Sequence, residues 1–266
     1  HLVFEIDALG GEMGRAADLV TLQSRTLNTG KGAAVQSKRI QADRRLYQCI
    51  MKHTLETTPH LHPMQAEIVA ITTEECGGRR RVTGVTTAIG EEWECRAVIV
   101  ATGTYLDSRI FVGEHNYPAG PDGFLSASAL SRSLTDAGVS VRRFKTGTPQ
   151  RILRSSIDLS KLEIQPGEEH ITPFSALTDE EAMQNIPQLP CHIVYTNAET
   201  HRIIRENLHR SAMYSGQIHG TGPRYCPSIE DKIVRFADKE RHQLFLEPLG
   251  PVSYTHLRAH ETLRHL

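Results

Sequence analysis

The stretch of this sequence best suited to chemistry is Gly220-Thr221-Gly222-Pro223-Arg224-Tyr225-Cys226-Pro227, which runs into Ser228-Ile229-Glu230-Asp231-Lys232-Ile233-Val234-Arg235-Phe236. Ile229, Ile233 and Phe236 fall at i, i+4 and i+7, and Ser228 is a natural N-cap with Asp231 three residues on, so a helix is expected to start here. A glycine hinge then delivers Cys226 to a helix N-terminus. Unpaired N–H groups and the positive dipole end favour an anion there, phosphate or thiolate, and Arg224 adds charge. A thiol so placed has a depressed pKa and is a nucleophile. The competing reading is a small buried hydrophobe, which is also the reading for Cys49 on an apolar-striped helix and for Cys95 and Cys191 within strands. Cys76 lies in a turn with no charged cap around it.

Two further turns set Lys beside backbone N–H groups, a favourable anion setting. They are Arg142-Arg143-Phe144-Lys145-Thr146-Gly147-Thr148-Pro149 and Asn28-Thr29-Gly30-Lys31-Gly32. Neither matches the GxxxxGK[ST] phosphate loop, and a solvated turn is the alternative for each. Arg79-Arg80-Arg81 suits a charged hairpin turn better than a grip on nucleic acid. Leu9-Gly10-Gly11-Glu12-Met13-Gly14 and Gly220–Tyr225 each miss one glycine of GxGxxG. His256, His260 and Glu261 invite a zinc reading, but His260-Glu261-Thr262-Leu263-Arg264-His265 is one residue too long for HExxH, so no metal site is assigned.

The elements that must position these groups follow from periodicity. Leu46, Tyr47, Ile50, Met51 and Leu55 make one stripe of an amphipathic helix between Lys38 and Glu56, closed by Pro59. Strand-like runs at Gln65–Thr73, Arg81–Thr87 and Trp93–Ala101, separated by glycines, predict a β-meander. The last run ends in Val98-Ile99-Val100-Ala101-Thr102-Gly103, whose unbroken apolarity predicts a strand buried on both faces, with Thr102 and Gly103 at the edge where open α/β sheets take ligands. A helix from Ala127 to Ala137 with Gly138 as C-cap and a strand from Val139 to Phe144 follow.

Residues 1–149 therefore resemble part of a dinucleotide-binding α/β domain. Beyond Pro149 prolines are scattered through polar sequence before a strand at Cys191–Thr196, and Thr196-x-x-Glu199 has the capping-box pattern for the helix carrying Ile203, Ile204 and Leu208. Residues 150–250 are expected to form an α+β insertion domain. Residues 251–266 differ in character and are set aside as a non-native-looking tail.

Lys and Arg number 30 against 31 Asp and Glu, a net charge of −1, so nucleic acid could be held only by local patches. The longest aliphatic stretch, Ala97–Ala101, is far short of the about 20 residues that span a bilayer. Five cysteines without CxxC spacing argue against a secreted disulfide framework and for a reducing, cytoplasmic setting. His1 opens inside a working segment and is expected to be a break in a longer chain.

The motifs Ile6-Asp7-Ala8-Leu9-Gly10-Gly11, Leu27 to Val35, Gln41-Ala42-Asp43-Arg44, Ala101-Thr102-Gly103-Thr104, Phe144 to Pro149 and Gly222 to Lys232 together resemble the MnmG (GidA) family of tRNA uridine 5-carboxymethylaminomethyl modification enzymes. The resemblance is collinear over residues 1 to about 250. It implies a partial FAD-binding Rossmann-like domain and an enzyme that works with the GTPase MnmE on the wobble uridine of tRNA. NADH would be the reductant, methylene-tetrahydrofolate the one-carbon donor and a homodimer the assembly. The resemblance assigns Gly222 to Phe236 to NAD binding and makes Cys226 one of two cysteines that act on the uridine ring or its methylene adduct. It places single FAD contacts at Glu67 and Ala127, where family members often carry Val and Ser. Lys145 and Arg224 would hold phosphate or developing negative charge. Because the family's GxGxxG loop lies upstream of His1, the chain alone is expected to be an inactive scaffold. A flavin disulfide reductase, which shares the meander, would need a CxxxxC pair that is absent.

Overall fold

A computed structural model describes residues 1–147, 149–218, 220 and 228–250, together with the backbone of 256–260. In chain order the elements are α1 (Leu2–Ala8), α2 (Met13–Leu19), β1 (Thr21–Leu27), β2 (Ser37–Ala42), α3 (Arg44–Thr57), β3 (Ile68–Cys76), β4 (Arg79–Thr87), β5 (Glu92–Glu94), β6 (Arg109–Val112) and β7 (His115–Pro118). They continue with α4 (Ser128–Asp136), β8 (Arg151–Leu153), β9 (Glu163–Gln165), α5 (Glu180–Gln184), β10 (Cys191–Tyr195), α6 (Ala198–Glu206), α7 (Ile229–Arg235), β11 (Gln243–Pro248) and β12 (His256–His260). The described residues form two compact units. One takes in His1–Pro63, Gly147–Ile203 and residues from the Tyr225–Leu266 stretch, and the other takes in Met64–Thr146 and residues from Ile204–Arg224. One passage between the units falls at Thr146/Gly147, and the first 63 residues group with the later part of the chain.

In the first unit, β1 pairs antiparallel with β2, and residues 21–24 of β1 are buried. Its other edge carries backbone groups that must also find partners. The irregular segment between β9 and β10 provides them. Leu189 N–H donates to the Leu22 carbonyl at 2.8 Å and Glu168 N–H to the Ser24 carbonyl at 2.9 Å. Ser24 N–H donates to Gln188 Oε1 at 2.8 Å and Thr26 N–H to the Glu168 carboxylate. Asp18, at the end of α2 and 0% exposed, accepts from Phe174 N–H at 2.8 Å, Ser175 N–H at 2.9 Å and the Thr178 hydroxyl at 2.8 Å. The polar, proline-scattered texture after Pro149 is thus the complement of residues 18–26.

The same unit holds a five-stranded antiparallel sheet in the order β8-β12-β11-β10-β9. Its strand β12 comes from the segment that the sequence sets aside as a tail. The predicted helix at 38–56 starts only at Arg44, because Ser37–Ala42 pairs with β1 and Asp43 Oδ1 caps the Arg45 and Leu46 N–H groups at 3.0 Å each. Thr196 does not cap α6. Its hydroxyl is engaged by His201 and by the His242 N–H, and Asn197 Oδ1 instead accepts from Thr200 N–H at 2.8 Å.

In the second unit the expected meander is present as β3-β4-β5, antiparallel throughout. Gly77 and Gly78, at φ +58° and +75°, form the two-residue turn between β3 and β4, as a primed hairpin turn requires. Helix α4 packs on β3, burying Leu130 and Leu134. It ends where expected, in a Schellman arrangement: Gly138 N–H bonds the Thr135 carbonyl and Val139 N–H the Leu134 carbonyl, both at 2.9 Å. That use of Val139 removes the start of the strand predicted at 139–144, where only an isolated bridge at Phe144 forms.

The strand predicted through Ala101 is corrected too. The strand ends at Glu94, with one further bond from Cys95 N–H to the Thr83 carbonyl at 3.0 Å, and Ile99 is 93% exposed. A doubly buried strand needs neighbours on both sides, and no described strand lies beside residues 97–101.

Replacing Asp18 by Ala orphans two buried N–H groups and a hydroxyl, each worth about 1–3 kcal/mol when unpaired, so the unfolding free energy should fall by about 3 kcal/mol or more. Asp18→Asn, which keeps one acceptor oxygen, should lose less. Urea denaturation measures both, and a D18A loss under about 1 kcal/mol would contradict this account.

Candidate functional site

The second unit gathers several of the sequence-predicted site residues around one loop. Thr102 and Gly103 follow the exposed apolar run, and the Thr102 carbonyl accepts from Tyr105 N–H at 3.0 Å. Gly103 sits at φ +53°, and nothing lies within 4 Å of where a Cβ would project. The left-handed conformation favours glycine, and the open space lets a ligand approach the backbone. The Tyr105 ring lies over Gly120, where an added Cβ would come within 2.3 Å of it, and meets Phe124 edge-on with centroids 6.4 Å apart. Ala127, which precedes α4, donates its N–H to the Tyr105 carbonyl at 2.9 Å and accepts from Asp107 N–H at 3.3 Å.

Asp107 also ties in the basic turn. Arg143 Nη1 donates to its carbonyl at 2.8 Å and Nη2 to its carboxylate at 2.5 Å. Lys145, two residues on and half-buried, directs Nζ to the Met213 sulfur. Thr102, Gly103, Ala127 and the Arg143–Lys145 segment thus belong to one hydrogen-bonded neighbourhood. Glu67 is linked to it less directly. Its carbonyl accepts from Ala88 N–H at 2.8 Å just before β3, its side chain is exposed, and β3 joins α4 through an Ile71 N–H bond to Ser133 Oγ at 2.9 Å.

Tyr105 and Asp107 escape sequence reasoning. The only signal is that Asp tolerates positive φ, here +44°.

Of the Gly222–Phe236 stretch, Ser228 onward lies in the described residues. Ser228 Oγ accepts from Asp231 N–H at 3.3 Å, as the capping reading expects. Ile233 is completely buried, with Asp231 and Lys232 nearly so, while Val234, Arg235 and Phe236 face outward. Ile229 and Glu230 are half-buried. Gly222, Pro223, Arg224, Tyr225, Cys226 and Pro227 lie outside the described residues.

The glycine turn at Asn28 is closed by Lys31 N–H to the Asn28 carbonyl at 2.9 Å. The hairpin arginines are ion-paired, Arg80 with Glu75 at 3.3 Å and Arg81 with Glu74 at 2.6 Å. Among the described residues no group of His, Cys, Asp and Glu could hold a metal ion, and no helix is long and apolar enough to cross a membrane. Cys191 is 0% exposed as expected, but Cys49 is exposed on α3, whose apolar stripe buries no residue completely. Burial, reinforced by the Glu247 carboxylate, pushes the Cys191 thiol up to about 12, and its Sγ–H donates to Gln23 Oε1 at 3.2 Å.

The architecture is a mixed helix–sheet fold of the kind found in GidA. Over 97% of this chain and 43% of the other, it matches the crystal structure of Aquifex aeolicus GidA, form I, with a TM-score of 0.86 and 45% identity. The form II crystal gives 0.84 and 42%. The family profile described as "Glucose inhibited division protein A" matches residues 1–255, and the chain belongs to that family. It is 54% identical over 250 residues to the tRNA uridine 5-carboxymethylaminomethyl modification enzyme MnmG of Caldicellulosiruptor saccharolyticus, and 51% identical to that of Clostridium botulinum. Those alignments cover 94% of this chain and 39% of each relative, so the chain spans about two-fifths of the curated relatives' length.

Because the thiolate is the reactive form, Cys191 should resist alkylation at neutral pH in the folded protein while exposed Cys49 and Cys76 react. Iodoacetamide labelling with peptide mass spectrometry checks this, and labelling of Cys191 at the rate of Cys49 would contradict it.

Proposed function

We propose that this chain is part of an FAD- and NADH-dependent enzyme that modifies the wobble uridine of tRNA, adding a carboxymethylaminomethyl group at C5. It would act with the GTPase MnmE and methylene-tetrahydrofolate, as a homodimer in the cytoplasm. The observation that carries this reading is the collinear 54% identity to MnmG over nearly the whole chain. The loop geometry supports it. An open backbone at Gly103, fixed to Ala127 through Tyr105, suits a cofactor held by main-chain contacts. Thr102, Gly103, Ala127 and Glu67 would contact FAD, with Lys145 beside them as the cation. Gly222 to Phe236 would bind NADH. Flavin and nicotinamide would supply the redox chemistry.

The chain's own contribution to the reaction is proposed to be Cys226. In the sequence it lies two residues before Ser228, the N-cap of α7, and beside Arg224. As a thiolate it, or the family's other cysteine, would add to C6 of the uridine ring. The C6–S bond forms as the C5=C6 π bond breaks, its electron pair passes to C5 and O4 and makes C5 nucleophilic, and the thiolate leaves again when C5 loses its proton. Arg224 would stabilise the deprotonated form of Cys226.

A second reading, an inert scaffold for the chain by itself, is favoured by the apolar run at 97–101, which has no strand beside it among the described residues. Flavin absorbance after FAD titration and desalting separates the two. A chain that retains flavin excludes the inert reading, and one that retains none supports it.

A chimera tests the larger function. This chain's first 250 residues would replace the matching segment of the Caldicellulosiruptor enzyme, expressed in cells lacking their own. Nucleoside mass spectrometry of tRNA should find the modified uridine with the chimera and at least about a hundredfold less with Cys226→Ser, the scale of losing an essential nucleophile. Normal modification by C226S would overturn the role of Cys226.

A further inference from the structure

Two histidines in the first unit face each other. His201 on α6 is 3% exposed and His242, just before β11, is 8% exposed, with ring centroids 5.3 Å apart and planes inclined by 32°. Thr196, at the end of β10, joins them. Its N–H donates to the His242 carbonyl at 3.0 Å, its hydroxyl oxygen accepts from His242 N–H at 2.8 Å, and the same oxygen lies 2.8 Å from His201 Nε2. His242 Nε2 is buried without a hydrogen-bond partner among the described residues.

This arrangement has room for few protons. With His201 neutral and its proton on Nδ1, the Thr196 hydroxyl donates to Nε2 while accepting from His242 N–H, and every group in that chain is satisfied. A proton added at His201 Nε2 turns that acceptor into a donor and leaves the Thr196 hydrogen without its partner. A proton added at His242 Nε2 puts a charge where no acceptor among the described residues meets it. Among the described residues the charged groups bearing on His242 are mostly of the wrong sign: Lys232 from α7 and Lys239 from the following turn, against Asp238.

We propose that the His201–His242 pair is a proton-operated latch: with His242 uncharged it clamps α6 and the start of β11 to the end of β10, and a proton on His242 opens it. Desolvation first, then the unfavourable approach of a second charge to His201, Lys232 and Lys239, holds the His242 pKa below the usual histidine value, with Asp238 opposing. A group whose folded pKa is depressed contributes stability that is present above its unfolded pKa, about 6.5, and is lost as the pH falls below that. The latch is therefore shut at neutral pH and loosens in mild acid. The connection from Phe236 to His242, which links α7 to β11, would be the segment released. No part of this depends on which substrate the protein uses.

Hydrogen exchange of the Thr196 and His242 amides, corrected for intrinsic rates, reads the latch in the full chain. Between pH 7.5 and 5.5 the opening equilibrium should rise by up to about tenfold, the ratio set by one unfolded-state histidine with a pKa of about 6.5. His242→Phe keeps an aromatic ring without a titrating nitrogen and should flatten that rise. An equal rise in H242F, or none in the unaltered protein, would overturn the proposal. Should H242F fail to fold, NMR titration of the unaltered protein decides. A His242 midpoint below the ordinary value supports the latch, and one at or above it overturns the latch.

Discussion

The first unit depends on one constraint: a buried strand edge with polar side chains must have every hydrogen bond returned. Thr21, Gln23 and Ser24 are buried on β1, and Asp18 is buried just before them. Leaving such groups unpaired would erase much of a typical fold's net stability of about 5–15 kcal/mol. The partners come from 165–189, a stretch whose only regular elements are the end of β9 and one short helix. Glu168 and Gln188 do the work of a missing strand, their side chains accepting from main-chain N–H groups and Gln188 Nε2 returning a bond to the Glu168 carbonyl at 2.6 Å. That explains why the unit is discontinuous in sequence.

Features governed by nearest neighbours along the chain were legible in the sequence. The paired glycines of the β3–β4 turn, the stripe and glycine stop of α4, and Ser228 as the cap of α7 all follow from local stereochemistry. What depended on distant partners was not. Val98–Ala101 has the composition of a buried strand, but composition specifies burial and not who provides it. Thr196 has the residue type and spacing of a capping box, yet its single hydroxyl is taken by two histidines, one of them far along the chain. When a more distant group satisfies the same oxygen, the cap moves to the next competent residue, here Asn197.

The candidate site divides in the same way. Gly103 was found because a glycine ends an apolar run, and Lys145 because it sits in a basic glycine turn. Their connection was hidden, since it runs through Asp107, whose left-handed backbone lets one residue serve both Ala127 and Arg143. Fixing Gly103 from both sides limits how far its backbone can yield, and a ligand bound by main-chain atoms gains from that because less ordering remains to be done on binding. The apolar run just before it adds a second term. Burying a side chain such as Ile99 would contribute about 1.5–3 kcal/mol, comparable to a few net hydrogen bonds. Whatever covers residues 97–101 would therefore also set the position of the open glycine beside them, so occupancy of that edge and geometry of the loop are coupled.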